Sequence, residues 1–117
     1  MRKNSLQIAF KNAFQGLKYA LTNERNMIVH CCAAVISILF ALWFGLEKLE
    51  IAVLVIIIAL VIIAEMFNTA IEKIVDVIHP DYHPIAKVIK DLAAGAVLVA
   101  AIAALILGYV LFCQRIL

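Results

Sequence analysis

Three predominantly apolar runs, at 27–46, 51–71 and 92–112, are each long enough as helices to cross a hydrocarbon core of ~30 Å. No other feature of the chain limits its fold as tightly. Hydrocarbon offers no hydrogen-bond partner to an open strand edge, so segments of this length must satisfy their own backbone as helices. Composition agrees, because 67% of the 117 residues are hydrophobic, against roughly 45–50% in soluble domains. The expected fold class is an all-α membrane protein, a single membrane domain over 1–117. A net charge of +2 without a basic, aromatic-interleaved patch excludes nucleic acid as a partner.

Ahead of the first span, Leu6, Phe10, Ala13, Phe14, Leu17 and Leu21 recur at helical spacing, with Asn4, Lys11, Gln15, Lys18 and Thr22 on the opposite face. Such a pattern predicts an amphipathic surface helix over 1–25, lying in the membrane interface among membrane lipids. Its six charges and lack of an apolar core argue against a cleavable signal, so the segment is expected to remain in the mature protein. Arg2, Lys3, Lys11, Lys18 and Arg25 precede the first span, Lys48 follows it, Lys73, Lys87 and Lys90 flank the next loop, and Arg115 closes the chain. By the positive-inside rule, the N-terminus and residues 72–91 face the cytoplasm, with Trp43 and Tyr109 near the outer interface. The short outer turn at 45–50 makes the first two spans antiparallel neighbours. Pro80 and Pro84 end the second helix at about Ile78. Cys31, Cys32 and Cys113 lack metal-ligand spacing and read as small packing residues.

Glu65 follows fourteen uninterrupted apolar residues, 51–64. At ~100° per residue, Glu65, Asn68, Glu72 and Asp76 fall at roughly 0°, 300°, 340° and 20°, on one stripe of a single helix. An ionisable group inside a span is costly and marks a candidate functional site. Glu24, Glu72, Asp76, Asp81 and Asp91 gather on the inner side near Lys90, and Mg²⁺ bound through one or two carboxylates and nucleotide phosphates would suit that set. Set just inside the apolar boundary, Glu65 suits a general base acting on a hydroxyl at the membrane surface. Other readings stand beside this one. Glu24, Asp76, Asp81 and Lys87 taken singly suit helix-end salt bridges or solvation, Glu65 and Asn68 could bond between helices, and His30 could be a packed interfacial histidine. His79 and His83 alone do not make a zinc site. No glycine-rich phosphate loop is present. A small ion-translocating subunit would need only Glu65, and an assembly partner would leave the whole stripe without a role.

The block Glu65-Met66-Phe67-Asn68-Thr69-Ala70-Ile71-Glu72-Lys73-Ile74-Val75-Asp76, followed by His83-Pro84-Ile85-Ala86-Lys87 and Lys90-Asp91-Leu92-Ala93-Ala94-Gly95-Ala96-Val97, resembles the prokaryotic diacylglycerol kinase family over nearly the whole chain. The resemblance implies a lipid kinase of the bacterial cell membrane, a homotrimer with active sites between subunits, using ATP and Mg²⁺. It implies Glu65 as catalytic base, Glu24 and Glu72 as metal ligands, and Asn68 positioning that assembly. Lys90 and Asp91 would contact nucleotide phosphates, with Asp81, Tyr82 and His83 as the nucleotide-contacting turn. Asn26, His30, Glu65 and Ala94 would meet the lipid substrate. Glu24-Arg25-Asn26 with His30, and His83-Pro84 before Ala86-Lys87, look most similar to the undecaprenol kinase branch, with diacylglycerol as the alternative lipid alcohol. Two positions depart from the family pattern: Ser5 stands where a basic residue is common, and Ile89 where alanine precedes Lys90-Asp91. The first leaves an N-terminal contact open, with Lys3 as a substitute.

Overall fold

The structure, a computed structural model, describes residues 4–116. Four helices follow one another: α1 (Ser5–Asn23), α2 (Arg25–Trp43), α3 (Lys48–Ile78) and α4 (Pro84–Ile116). The last three are long and apolar enough to cross a membrane, and the molecule is an all-helical membrane protein. α3 runs mostly through Ile, Val, Leu and Ala. Branched side chains of this kind favour strands in water, but hydrocarbon makes internal backbone bonding decisive and the helix persists for 31 residues.

Two sharp connections order the bundle. Glu24 alone separates α1 from α2, and its extended backbone (φ −114°, ψ 114°) turns the chain there. Ala20 and Met27 are buried on either side of that turn. The second connection carries α2 into α3 across Gly45–Glu47. Gly45 adopts φ +69°, while its N–H donates to the Leu42 carbonyl and the Leu46 N–H donates to the Ala41 carbonyl. This is a Schellman ending, in which the residue after the glycine packs back on the last turn. Ala41 and Leu46 are accordingly both buried, in a cluster with Leu54 and Leu111. α3 then begins with a capping box in which the Glu47 N–H donates to Glu50 Oε1 at 2.9 Å. Arg115 of α4 also pairs with Glu50. The Glu47 backbone N–H first, and the Arg115 guanidinium second, hold the Glu50 carboxyl below the usual carboxylate range.

α3 packs most extensively on α4, less on α2, and α1 touches α2. Phe112 of α4 meets Phe44 edge-on, with ring centroids 6.2 Å apart, beside the Ala41–Leu111 cluster. At the opposite end α3 stops at Ile78, where the prolines place the break. α4 starts at Pro84, well ahead of the apolar run at 92–112, because His83 caps it: the His83 Nδ1 accepts the Ile85 N–H at 3.1 Å. Proline in the first helical position has no N–H to leave unpaired. α1 reaches α3 through Tyr19, whose ring centroid lies 5.8 Å from Lys73 Nζ. Tyr19 is also the main reason that the Lys73 ammonium titrates above ordinary lysine. Lys3 lies outside the described residues.

A Cβ at Gly45 would meet no atom within 4 Å, so backbone strain alone sets the cost of side chains there. Gly45→Ala should destabilise the protein by about 1 kcal/mol and Gly45→Asn by less, measured by denaturant titration in mixed micelles.

Candidate active site

Glu65 is 2% exposed and Asn68 and Thr69 are 7% exposed, three polar side chains buried on one helix that is otherwise apolar at that depth. α2 supplies the partner for the first of them. His30 Nε2 lies 3.6 Å from Glu65 Oε2, so a histidine one turn inside α2 meets a carboxylate midway along α3. The same helix spacing that forms the stripe lets Asn68 reach Glu72, four residues on, and Asn68 Nδ2 donates to Glu72 Oε1 at 2.8 Å. That bond orients the amide. Asn68 Oδ1 is left buried with no partner.

Glu24 stands at the α1–α2 junction, half-buried. It occupies the capping position of α2 without making a side-chain cap, which leaves its carboxylate uncommitted to the helix. Glu65, Glu72 and the unpaired Asn68 oxygen lie within two turns of one another on α3. Among the described residues no group of three or more His, Cys, Asp or Glu side chains could enclose a metal ion.

A second group lies further along α3, roughly 16 Å from Glu65 at the Asp76 level. Asp76 accepts a bond from Lys90 of α4, while Asp91 pairs with Lys87 at 2.7 Å. Lys90 and Asp91 thus stand side by side but engage different partners. Val75, His79, Asp81, Tyr82, His83, Lys87 and Lys90 line an open groove of about 330 Å³. Asp81 and Tyr82 are exposed, and the His83 ring, committed to its cap through Nδ1, stacks on His79 at 4.6 Å. Of the residues expected at the lipid, His30 joins Glu65, Asn26 is exposed at the start of α2, and Ala94 lies exposed on α4 beside buried Ala93.

From His30 an apolar groove of about 220 Å³ runs between the helices past Ala33, Ala34, Ala101 and Gly108 to Phe112. Its one hydroxyl, on Ser37, is spent on the Ala33 carbonyl at 2.8 Å. The arrangement joins a hydrocarbon lane, a buried carboxylate and a polar, cation-compatible edge. Those parts can bring an alcohol on an apolar chain to a base and a phosphate donor. The His30–Glu65 pair and the loose Thr69 hydroxyl escape a reading of one helix at a time, since both depend on neighbours; only the position of Thr69 at ~40° on the same stripe signals it.

Residues 11–112 match the family model described as prokaryotic diacylglycerol kinase. The chain belongs to the prokaryotic diacylglycerol kinase family. Over 92% of its length it is 44% identical to a diacylglycerol kinase of Synechocystis sp., covering 66% of that protein. It is 34% identical to the undecaprenol kinase of Bacillus subtilis, covering 92% of this chain and 88% of that one. A diacylglycerol kinase of Escherichia coli is 33% identical over 80% of this chain and 77% of its own. Family membership makes the protein a lipid kinase, a phosphotransferase with an alcohol acceptor, and a kinase implies ATP. It also decides against an ion-translocating subunit.

Both partners of the Asp76–Lys90 bridge are well exposed, 56% and 39% at their side chains. A double-mutant cycle with Asp76→Ala and Lys90→Ala, read by thermal denaturation, should give a coupling below about 1 kcal/mol.

Proposed function

We propose that this kinase transfers the γ-phosphoryl group of ATP to undecaprenol at the cytoplasmic surface of the bacterial cell membrane. The observation that carries the reading is Glu65, buried against His30 where the apolar groove meets the polar edge. Glu65 takes the proton as the lipid O–H bond breaks. The oxygen forms its bond to the γ-phosphorus, the bond from that phosphorus to the β–γ bridging oxygen breaks, and ADP leaves. His30 holds the Glu65 carboxylate from α2. Glu24 and Glu72 would hold Mg²⁺, with Asn68 orienting Glu72. The cation supplies charge neutralisation on the transferring phosphate. Lys90, whose bridge to Asp76 is exposed and cheap to exchange, turns to phosphate oxygens, and Asp91 stays beside it. Asp81, Tyr82 and His83 border the groove that the nucleotide enters. Asn26 and Ala94 flank the lipid entrance. Most of the rate comes from holding two substrates in line inside a water-poor site.

A polyprenol has one polar group, and the groove from His30 to Phe112 has no hydroxyl free for the ester carbonyls of a diacylglycerol, Ser37 being spent on the Ala33 carbonyl. Glu24-Arg25-Asn26 and His30 resemble the undecaprenol branch as well. Diacylglycerol is the second reading, favoured by the 44% identity to the Synechocystis kinase. The single membrane domain assembles as a homotrimer, as the resemblance to the family implies, and apolar side chains exposed on the spans, Val35, Phe67 and Leu98 among them, face lipid or neighbouring subunits. α1 lies on the cytoplasmic leaflet, its Leu6, Phe10 and Phe14 exposed to lipid. Lysine and arginine placement supports that orientation.

Labelled ATP offered with undecaprenol and diacylglycerol, separately and in competition, tests the assignment in mixed micelles. Undecaprenol should be labelled preferentially, and Glu65→Gln should lower turnover at least ~10³-fold with assembly intact. Diacylglycerol preference would move the protein to phospholipid turnover, and an active Glu65→Gln would remove the base. Glu24→Gln and Glu72→Gln should each raise the Mg²⁺ concentration for half-maximal rate by about tenfold or more; unchanged titrations would discard the metal assignment.

A further inference from the structure

Thr69 is 7% exposed, and its Oγ1 is buried without a hydrogen-bond partner. A helical hydroxyl ordinarily returns to the carbonyl four residues back. Two others in this chain do: Thr22 Oγ1 donates to the Lys18 carbonyl at 2.8 Å, and Ser37 Oγ donates to the Ala33 carbonyl at 2.8 Å. Thr69 has the Glu65 carbonyl in the same relative position and leaves it. An unsatisfied hydroxyl inside an apolar bundle is costly, so its retention beside Glu65 calls for a ligand.

The helix puts Thr69 one turn from Glu65 on the same face, about 6 Å along the axis toward Glu72. That is the level at which an alcohol arriving from the membrane would meet a phosphate arriving from the aqueous end. The neighbouring groups are acceptors: the Glu65 carboxylate, the Glu72 carboxylate, and the bare Asn68 oxygen, the Asn68 amide already donating to Glu72. Thr69 supplies the hydroxyl donor they lack.

We propose that Thr69 Oγ1 donates a hydrogen bond to the oxygen of the lipid alcohol, holding it between Glu65 and the γ-phosphate. The assignment rests on the kinase reading above and adds a substrate-positioning residue to it. One lone pair of the alcohol oxygen accepts from Thr69, another attacks phosphorus, and its proton passes to Glu65, so every valence of that atom is used. The bond strengthens as the oxygen loses its proton and gains negative charge. Glu65 and Thr69 are both buried, 2% and 7% exposed, on the same face of α3.

Thr69→Val keeps the shape and removes the hydroxyl, and Thr69→Ser restores it. In mixed micelles, Thr69→Val should lower kcat/KM for the lipid alcohol about tenfold to a hundredfold with the KM for ATP unchanged. Thr69→Ser should recover to within about threefold of wild type. The second readout is the thermal shift produced by undecaprenol without ATP, which should shrink in Thr69→Val and return in Thr69→Ser. Wild-type values of both readouts in Thr69→Val would overturn the proposal while leaving the kinase intact. An undecaprenol shift that depends on Thr69 in a protein that labels no lipid would support the alcohol contact and sink the kinase reading. No shift in wild type would sink the contact.

Discussion

Hydrocarbon gives a polar group nothing to bond to, so each one that α3 carries into the bilayer must be met from within the protein or by what the protein binds. The backbone meets this condition by staying helical for 31 residues. Glu65 meets it through His30 of α2, and Asn68 and Glu72 meet it through each other. Two atoms are left over, Asn68 Oδ1 and Thr69 Oγ1. Their neighbourhood is the one proposed above for the meeting of phosphate and alcohol. The same constraint that builds the helix thus marks its site.

Around that stripe the bundle is tight at one end and open at the other. The Schellman ending at Gly45, the capping box at Glu47 and the pairing of Arg115 with Glu50 close the end that joins α2 to α3. At the opposite end the contacts are exposed ion pairs, a histidine cap and a loop of five residues, 79–83, that holds Pro80 and runs into Pro84. Exposed pairs contribute little to stability and exchange readily with a charged ligand. The turn between α2 and α3 is thus closed by caps and packing, while the edge near the α3–α4 loop is held by exchangeable pairs.

Family membership and local geometry answer different questions. The match over residues 11–112 assigns the chemistry as phosphoryl transfer to a lipid alcohol. Relatives named for two different acceptors match the chain, at 44% and 34% identity, so the family does not fix the acceptor, and the proposed undecaprenol preference rests on the shape and polarity of the groove that starts at His30. Those are properties of packing between helices, which identity averages away.

Much of the architecture was legible in the residues themselves: the number of long apolar helices, the break at Ile78 before Pro80, and the stripe of Glu65, Asn68, Glu72 and Asp76 follow from composition and 3.6-residue periodicity, which are local. The block around Glu65 carried the family. What tertiary structure decided is every relation between helices. His30 read singly as a packing residue or a lipid contact, and its place against Glu65 appears only when α2 lies on α3. Lys90 adjoins Asp91 in sequence but bonds Asp76, because consecutive helical residues point about 100° apart and face different neighbours. His83 also caps α4, which its place in the loop does not announce, and the Thr69 hydroxyl is left without a partner only by the packing around α3. Periodicity tells which side of a helix a residue occupies; what stands opposite depends on the packing of another helix, and that is not written in either segment alone.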